Sequence, residues 1–198
     1  MTPYVRGTCR SPEYRRRSIR LRGYDYAQAG AYFVTVCTHD RACLFGDVVD
    51  GEMRLNDAGN IIRDEWIRTG DMRSNVELDA FVVMPNHFHA IVVLSHDGHC
   101  RGDRPVAPTG PTPRSIGAIM AGFKSASTRR VNEIRRTPGV PVWQRNYYEH
   151  IIRDDASLNR IREYIVNNPI QWEMDRENPD IVGATSRSFP PKDEPWRI

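Results

Sequence analysis

The chain is predicted to fold as an α+β domain, an antiparallel sheet with flanking helices in the ferredoxin-like or RNA-recognition-like style. Three observations carry that expectation. Segments of strand composition and segments of helical period follow one another in the order β, α, β, β, α, β, α. Two of the strands are separated by little more than Pro85-Asn86, which favours a tight antiparallel hairpin. The length, 198 residues, suits one well-cored domain with polar arms.

The first confident strand is Ala31-Tyr-Phe-Val-Thr-Val-Cys37, β-branched and aromatic throughout. Gly46, Asp47, Asp50 and Gly51 then mark a hairpin or a wide loop. From Asn56 to Thr69 the pattern is helical: Asn56 or Asp57 can cap, and Ile61, Ile62 and Trp66 recur at helical spacing. Leu78 to Met84 and Phe88 to Leu94 read as the hairpin strands. Residues 95–113 are rich in Gly and Pro and read as a flexible crossing. A long helix is expected from Arg114 to Arg136, with Ile116, Ile119, Met120, Phe123, Val131 and Ile134 on its buried side. An extended segment, Val142 to Ile152, leads to a last helix, Ala156 to Asn168, stopped by Pro169.

Composition narrows the function classes. No stretch approaches the roughly 18 consecutive apolar residues of a membrane span, and no N-terminal charged-then-apolar signal is present. A soluble, cytoplasmic protein without a membrane partner is expected. Cys9, Cys37, Cys43 and Cys100 form no CxxC pair, which favours reduced thiols. The net charge is only +3, yet residues 1–22 hold seven arginines, Arg15, Arg16 and Arg17 among them, against the single acid Glu13. Such an arm suits phosphates, which arginine pairs bidentately, and it equally suits a solubilising tail.

The sharpest local feature is Met84-Pro-Asn-His87-Phe-His89. On a strand, residues i and i+2 share a face, so His87 and His89 project together while Phe88 anchors the strand from behind. Two imidazoles on a rigid strand make half of a metal site. A second feature is Tyr164 with Asn168, four apart and therefore on one helix face. A tyrosine hydroxyl can serve as a covalent nucleophile, and an amide oxygen can coordinate a metal. Each feature also has a structural reading, as a pair of sheet histidines and as a half-buried tyrosine before a helix-ending Asn-Pro. Together they leave open metal positions for a phosphate oxygen and water. With a reference pKa near 10, roughly one tyrosine in a thousand is phenolate at pH 7, a handicap of about 4 kcal/mol that a nearby cation partly offsets.

With these residues in view, the chain resembles the HUH single-tyrosine transposases, in particular the REP-associated tyrosine transposases. The matching text is Tyr32-Phe-Val-Thr-Val, Cys43-Leu-Phe-Gly46, Val82-Val-Met-Pro-Asn-His-Phe-His89, Phe123-Lys-Ser125, Trp143-Gln-Arg145, Tyr148-Glu-His150, Ile152-Arg-Asp154 and Tyr164-Ile-Val-Asn-Asn-Pro169. It spans about residues 24–175. The resemblance implies the HUH endonuclease fold, with His87 and His89 as paired metal ligands, Tyr164 as nucleophile and Asn168 at the third ligand position. Relatives with other arrangements use Gln or His there. It further implies a divalent ion (Mg²⁺ or Mn²⁺), a 5′-phosphotyrosine intermediate, and single-stranded or hairpin-forming palindromic DNA as partner. The protein would act as a monomer or homodimer. The expected organisation is a basic arm over 1–23, the transposase domain over 24–175 with its 95–113 loop, and a tail over 176–198.

Further residues are candidates for DNA contact. Trp143, Arg145 and Tyr148 set aromatics beside a cation, suited to stacking and phosphate pairing; Trp143 suits core packing as well. Lys124, Arg129 and Arg130 could meet backbone phosphates or simply form a solvated helix face. His150 could lie near the metal or be structural. Two rival functions remain at this stage: a non-catalytic, domesticated DNA-binding protein on the same fold, and a hydrolytic zinc enzyme, which no HExxH-like motif supports.

Overall fold

The computed structural model describes residues 24–95, 114–175 and 177–179. In chain order they form β1 (Gly30–Cys37), β2 (Gly46–Val49), β3 (Glu52–Leu55), α1 (Asp57–Asp71), β4 (Val76–Val83), β5 (His87–Leu94), α2 (Ile116–Arg135), β6 (Tyr148–Ile152) and α3 (Asp155–Asn167). Four strands make the main sheet in the order β4-β5-β1-β6, every neighbour antiparallel. That order, with α1 and α2 as the two crossovers, is the ferredoxin-like arrangement the sequence predicts. The 1–23 arm, most of the 95–113 loop and residues 180–198 lie outside the described residues.

Local chemistry sets the elements. β2 and β3 pair as a small separate hairpin whose two-residue turn, Asp50-Gly51, has positive φ at both positions (54° and 77°). That is the type I′ geometry favoured between twisted strands. Each long helix starts on a side-chain cap: Asn56 accepts from the Gly59 amide, Ser115 from that of Ala118, and Asp154 from that of Ser157. Each cap contributes about 1 kcal/mol. Gly59 is required where it stands, because a Cβ there would lie 2.1 Å from the Phe45 carbonyl oxygen.

Register divides the side chains into two faces. Phe88 pairs with Val36 and Ala90 with Val34, and these turn toward α1 and α2. Trp66, Phe88 and Phe123 meet there edge-on or tilted, with centroids 4.9–5.2 Å apart. His87, His89 and Ile91 pair with Cys37, Thr35 and Phe33 and occupy the opposite face, which α3 covers through Ile161 and Ile165. Between Leu78 and Phe81 the β4–β5 register shifts by one residue, a β-bulge. Asp79 in that bulge receives Nε of Arg162 at 3.0 Å, tying α3 to the sheet edge. The guanidinium hydrogen bond holds the Asp79 carboxyl below the usual carboxylate range.

Two expectations need correcting. Ile134 is exposed, not buried. The chain leaving α2 returns on the Asn132 side, where the Asn132 amide donates to the Val140 carbonyl at 2.7 Å; Ile134 lies on the other flank, uncovered. The expected extended segment from Val142 is a strand only over Tyr148–Ile152, preceded by a single bridge between Thr38 and Trp143.

Candidate functional site

The structure gathers His87, His89, Tyr164 and Asn168, 81 residues apart at the extremes, into one buried cluster. The β4–β5 turn closes through Met84 N–H donating to the His87 carbonyl at 2.9 Å, so β5 begins with His87 itself. His87 and His89 are 0% and 3% exposed, with ring centroids 4.6 Å apart. From α3, Asn168 brings Oδ1 to 3.2 Å from His87 Nε2, and Tyr164 brings its hydroxyl to 3.3 Å from His89 Nε2. Asn168 is buried as the C-cap residue of α3, just before Pro169, and Tyr164 is half-buried.

Both imidazoles are held by their other nitrogen. His87 Nδ1 lies 3.0 Å from Asn86 Oδ1, and His89 Nδ1 lies 2.8 Å from Thr35 Oγ1. An amide oxygen only accepts, so the tautomer with its proton on Nδ1 satisfies Asn86 and keeps the Nε2 lone pair of His87. Thr35 can take the Nδ1 proton of His89 in the same way, which leaves His89 Nε2 to accept from the Tyr164 hydroxyl. This is the tautomer in which histidines ligate metals, fixed by the kind of outer partner that metal-bound histidines have. In that tautomer His87 Nε2 and Asn168 Oδ1, 3.2 Å apart, both present lone pairs, an arrangement that suits a cation between them. The donor set thus fits a divalent ion. Among the described residues no group of three or more His, Cys, Asp and Glu side chains could hold one; the set here is two imidazoles and an amide.

Residues near the C-terminal end complete the walls, and sequence reasoning missed them. Trp172 lies tilted against His87 at 5.9 Å, and Asp175 Oδ2 is 3.9 Å from His87 Nε2. The Glu177 carbonyl accepts from Asn86 Nδ2 at 2.6 Å, while its carboxylate pairs with Arg41 at 3.1 Å. Residues on the tail side of the expected boundary at 175 therefore still touch the domain.

The fold matches a solved REP-associated tyrosine transposase bound to a REP hairpin, with a TM-score of 0.52 at 23% identity over 77% of this chain and 73% of that one. An uncharacterised Haemophilus influenzae protein is 41% identical over 82% of this chain and 93% of its own length. A second Haemophilus influenzae protein, provisionally named a REP-associated tyrosine transposase, is 26% identical over 74% of each chain. The chain thus shares the fold of that solved transposase. No family model matches it.

The other residues expected to contact DNA separate into groups. Lys124, Arg129 and Arg145 line one groove between α2 and residues 138–145, and Arg136, not singled out from the sequence, joins them. Lys124 is half-buried and donates to the carbonyls of Gln144 and Arg145, and its desolvation lowers the pKa of the ammonium. Tyr148 and His150 stand on β6 opposite Thr35 and Phe33, on the face of the histidine pair. Burial, then the charge of Arg153, hold His150 below the usual histidine range, which disfavours a charged contact with a phosphate. Arg15, Arg16 and Arg17 lie outside the described residues.

Two of the expected DNA contacts are corrected. Arg130 points away from the groove and pairs at 2.6 Å with Glu65 of α1, because successive helical residues are turned about 100° apart. Its guanidinium neutralises a buried carboxylate. Trp143 is 5% exposed, packed on Phe45 and Phe123, and its indole N–H donates to Ser127 Oγ at 2.9 Å. No ring face is left for a base. Trp143→Ala is therefore expected to cost about 3–5 kcal/mol in equilibrium unfolding. A stability change below about 1 kcal/mol would return Trp143 to the surface.

Proposed function

We propose that this chain is a metal-dependent endonuclease and strand transferase of single-stranded DNA that works through a covalent tyrosine intermediate. One observation carries the reading: a tyrosine hydroxyl and an amide oxygen one helical turn apart face the Nε2 atoms of two histidines whose Nδ1 atoms are already engaged. A purely structural histidine pair does not need its second nitrogens directed at a nucleophile. A non-catalytic DNA-binding module would not need that arrangement either.

In this reading His87, His89 and Asn168 hold Mn²⁺ or Mg²⁺; the imidazoles favour Mn²⁺, and Mg²⁺ would keep more of its waters. When bound, the ion polarises the scissile phosphate and offsets negative charge in the transition state. Tyr164 Oη attacks phosphorus in line, the bond to the 3′-oxygen breaks, and the DNA is left as a 5′-phosphotyrosine with a free 3′-hydroxyl. The proton lost by the phenol balances the proton gained by the 3′-oxygen. Attack of a 3′-hydroxyl on the phosphotyrosine reverses the step and rejoins strands. Phe33 stacks on His89 and meets Tyr164 edge-on, so the aromatic packing of β1 fixes the angle between nucleophile and histidine. All four groups come from one chain, so the chemistry needs no second copy.

Hairpin-forming palindromic DNA is the proposed substrate, supported by the hairpin bound to the structural relative. The direct test incubates the protein with a labelled single-stranded hairpin and Mn²⁺. A labelled protein band that survives boiling in detergent is expected, and hydrolysis without such a band would favour the zinc-hydrolase reading.

The arginine arm is proposed to add phosphate contacts around the 24–175 domain. Removing residues 1–22 should weaken hairpin binding and flatten its salt dependence, since each lost phosphate contact lowers the slope by about 0.7–0.9. An unchanged affinity and slope would leave the arm a solubilising tail.

A further inference from the structure

A cavity of about 920 Å³ runs between α2 and the returning segment 138–145, on the side of the sheet away from Tyr164. Val140 and Pro141 line its exposed apolar part; Lys124, Arg129, Arg136 and Arg145 bring positive charge to it, against the single acid Glu133. Among the described residues, Arg129, Arg136 and Arg145 have no carboxylate within ion-pair distance, as is also true of several arginines elsewhere on the surface. Guanidinium groups gathered along one groove favour an anion there.

Backbone conformation adds a second observation. Arg136 ends α2 in the left-handed region, at φ 56° and ψ 38°. Glycine adopts that conformation without penalty and is the usual residue at such a helix end. The strain is accepted at a position whose side chain reaches the cavity.

The cavity leads toward the catalytic end of the sheet. The backbone of Gln144 bonds to the Cys37 carbonyl and that of His39 to Val142, and Cys37 pairs in register with His87. Three residues after Arg145, Tyr148 stands beside Thr35, which orients His89. From Lys124 to Arg136 the helix is about 18 Å long at 1.5 Å per residue. At 3.4 Å per stacked nucleotide that is roughly five nucleotides.

We propose that this groove docks single-stranded DNA, the strand flanking the hairpin, with phosphates along Arg129, Arg136 and Arg145 and bases against Val140 and Pro141. The inference rests on the DNA-processing reading but concerns binding, not cleavage, so the two fail separately. The test compares fluorescence-anisotropy titrations of the full chain and the triple variant Arg129→Ala/Arg136→Gly/Arg145→Ala. The probes are a hairpin with a five-nucleotide single-stranded flank and the same hairpin blunt-ended.

Affinity for the flanked hairpin should fall at least tenfold and its salt slope by about 2, with the blunt hairpin little affected. Glu133→Gln should tighten binding of the flanked probe. Arg136→Gly alone should raise the thermal midpoint while weakening binding, opposite signs that a merely structural role does not produce. Equal affinity for the flanked probe in variant and wild type overturns the proposal. An equal loss for both probes overturns it too, by assigning the groove to the duplex stem. If wild-type protein forms no adduct while the binding differences stand, the catalytic reading fails and the groove survives.

Discussion

Tyr164→Phe is expected to reduce covalent adduct formation and strand cleavage by at least about a thousandfold, since the substitution removes the attacking oxygen. The phenyl ring keeps its edge-on contacts with Phe33 and His89, at 6.2 and 5.2 Å. The substitution removes the 3.3 Å hydrogen bond to His89 Nε2, and the fold should weaken by about 1 kcal/mol or less. Hairpin affinity should stay within about twofold. The same change at Tyr147 or Tyr148 should leave the adduct: Tyr147 packs against the core on the far face, and Tyr148 stands on the edge strand β6, not on α3 beside Asn168. Adduct in the Tyr164→Phe protein, read on a denaturing gel, would contradict the assignment.

Metal removal should have the second largest effect. His87→Ala and His89→Ala are each expected to lower cleavage more than about a hundredfold and to abolish saturable Mn²⁺ binding in calorimetry, a readout independent of activity. Thr35→Val and Asn86→Ala should act more weakly, about 10–100-fold, because they release the orientation of a ring without removing a nitrogen from the site. Excess chelator should reproduce the histidine variants, and added Mn²⁺ or Mg²⁺ should restore the wild type. Undiminished cleavage in chelator would remove the metal from the mechanism.

The parts of this fold and site that were legible in the sequence obey short-range periods. β-Branched and aromatic composition in β1 and apolar runs in β4 and β5 marked the sheet, and the i, i+2 spacing of His87 and His89 put them on one face. The i, i+4 spacing of Tyr164 and Asn168 put those two on one helix face. The order of elements sufficed for the ferredoxin-like strand order, since few antiparallel arrangements satisfy two crossovers and one hairpin. What escaped depends on cross-strand register or on where the chain returns. Thr35 holds His89 across 54 residues because those two positions fall opposite one another, and nothing local in Tyr-Phe-Val-Thr-Val marks the threonine. Trp143 and Arg130 looked available for DNA because an aromatic or cationic residue shows its partner only once the neighbouring helix is in place; that partner is Ser127 for one and Glu65 for the other. Ile134 obeyed the helical period and still lost its cover. Trp172, Asp175 and Glu177 sit in a polar stretch without periodicity, so their return to the histidine pair had no signal in the sequence.

The central claim is that one tyrosine, Tyr164, carries the DNA. Trypsin cuts after Arg162 and Arg176, and Tyr164 is the only tyrosine in the resulting peptide 163–176; Tyr147 and Tyr148 fall together on peptide 146–153. Mass spectrometry of the nuclease-trimmed adduct is therefore expected to find the nucleotide mass on peptide 163–176 and none on 146–153. Nucleotide on peptide 146–153, or on any fragment lacking Tyr164, would contradict it.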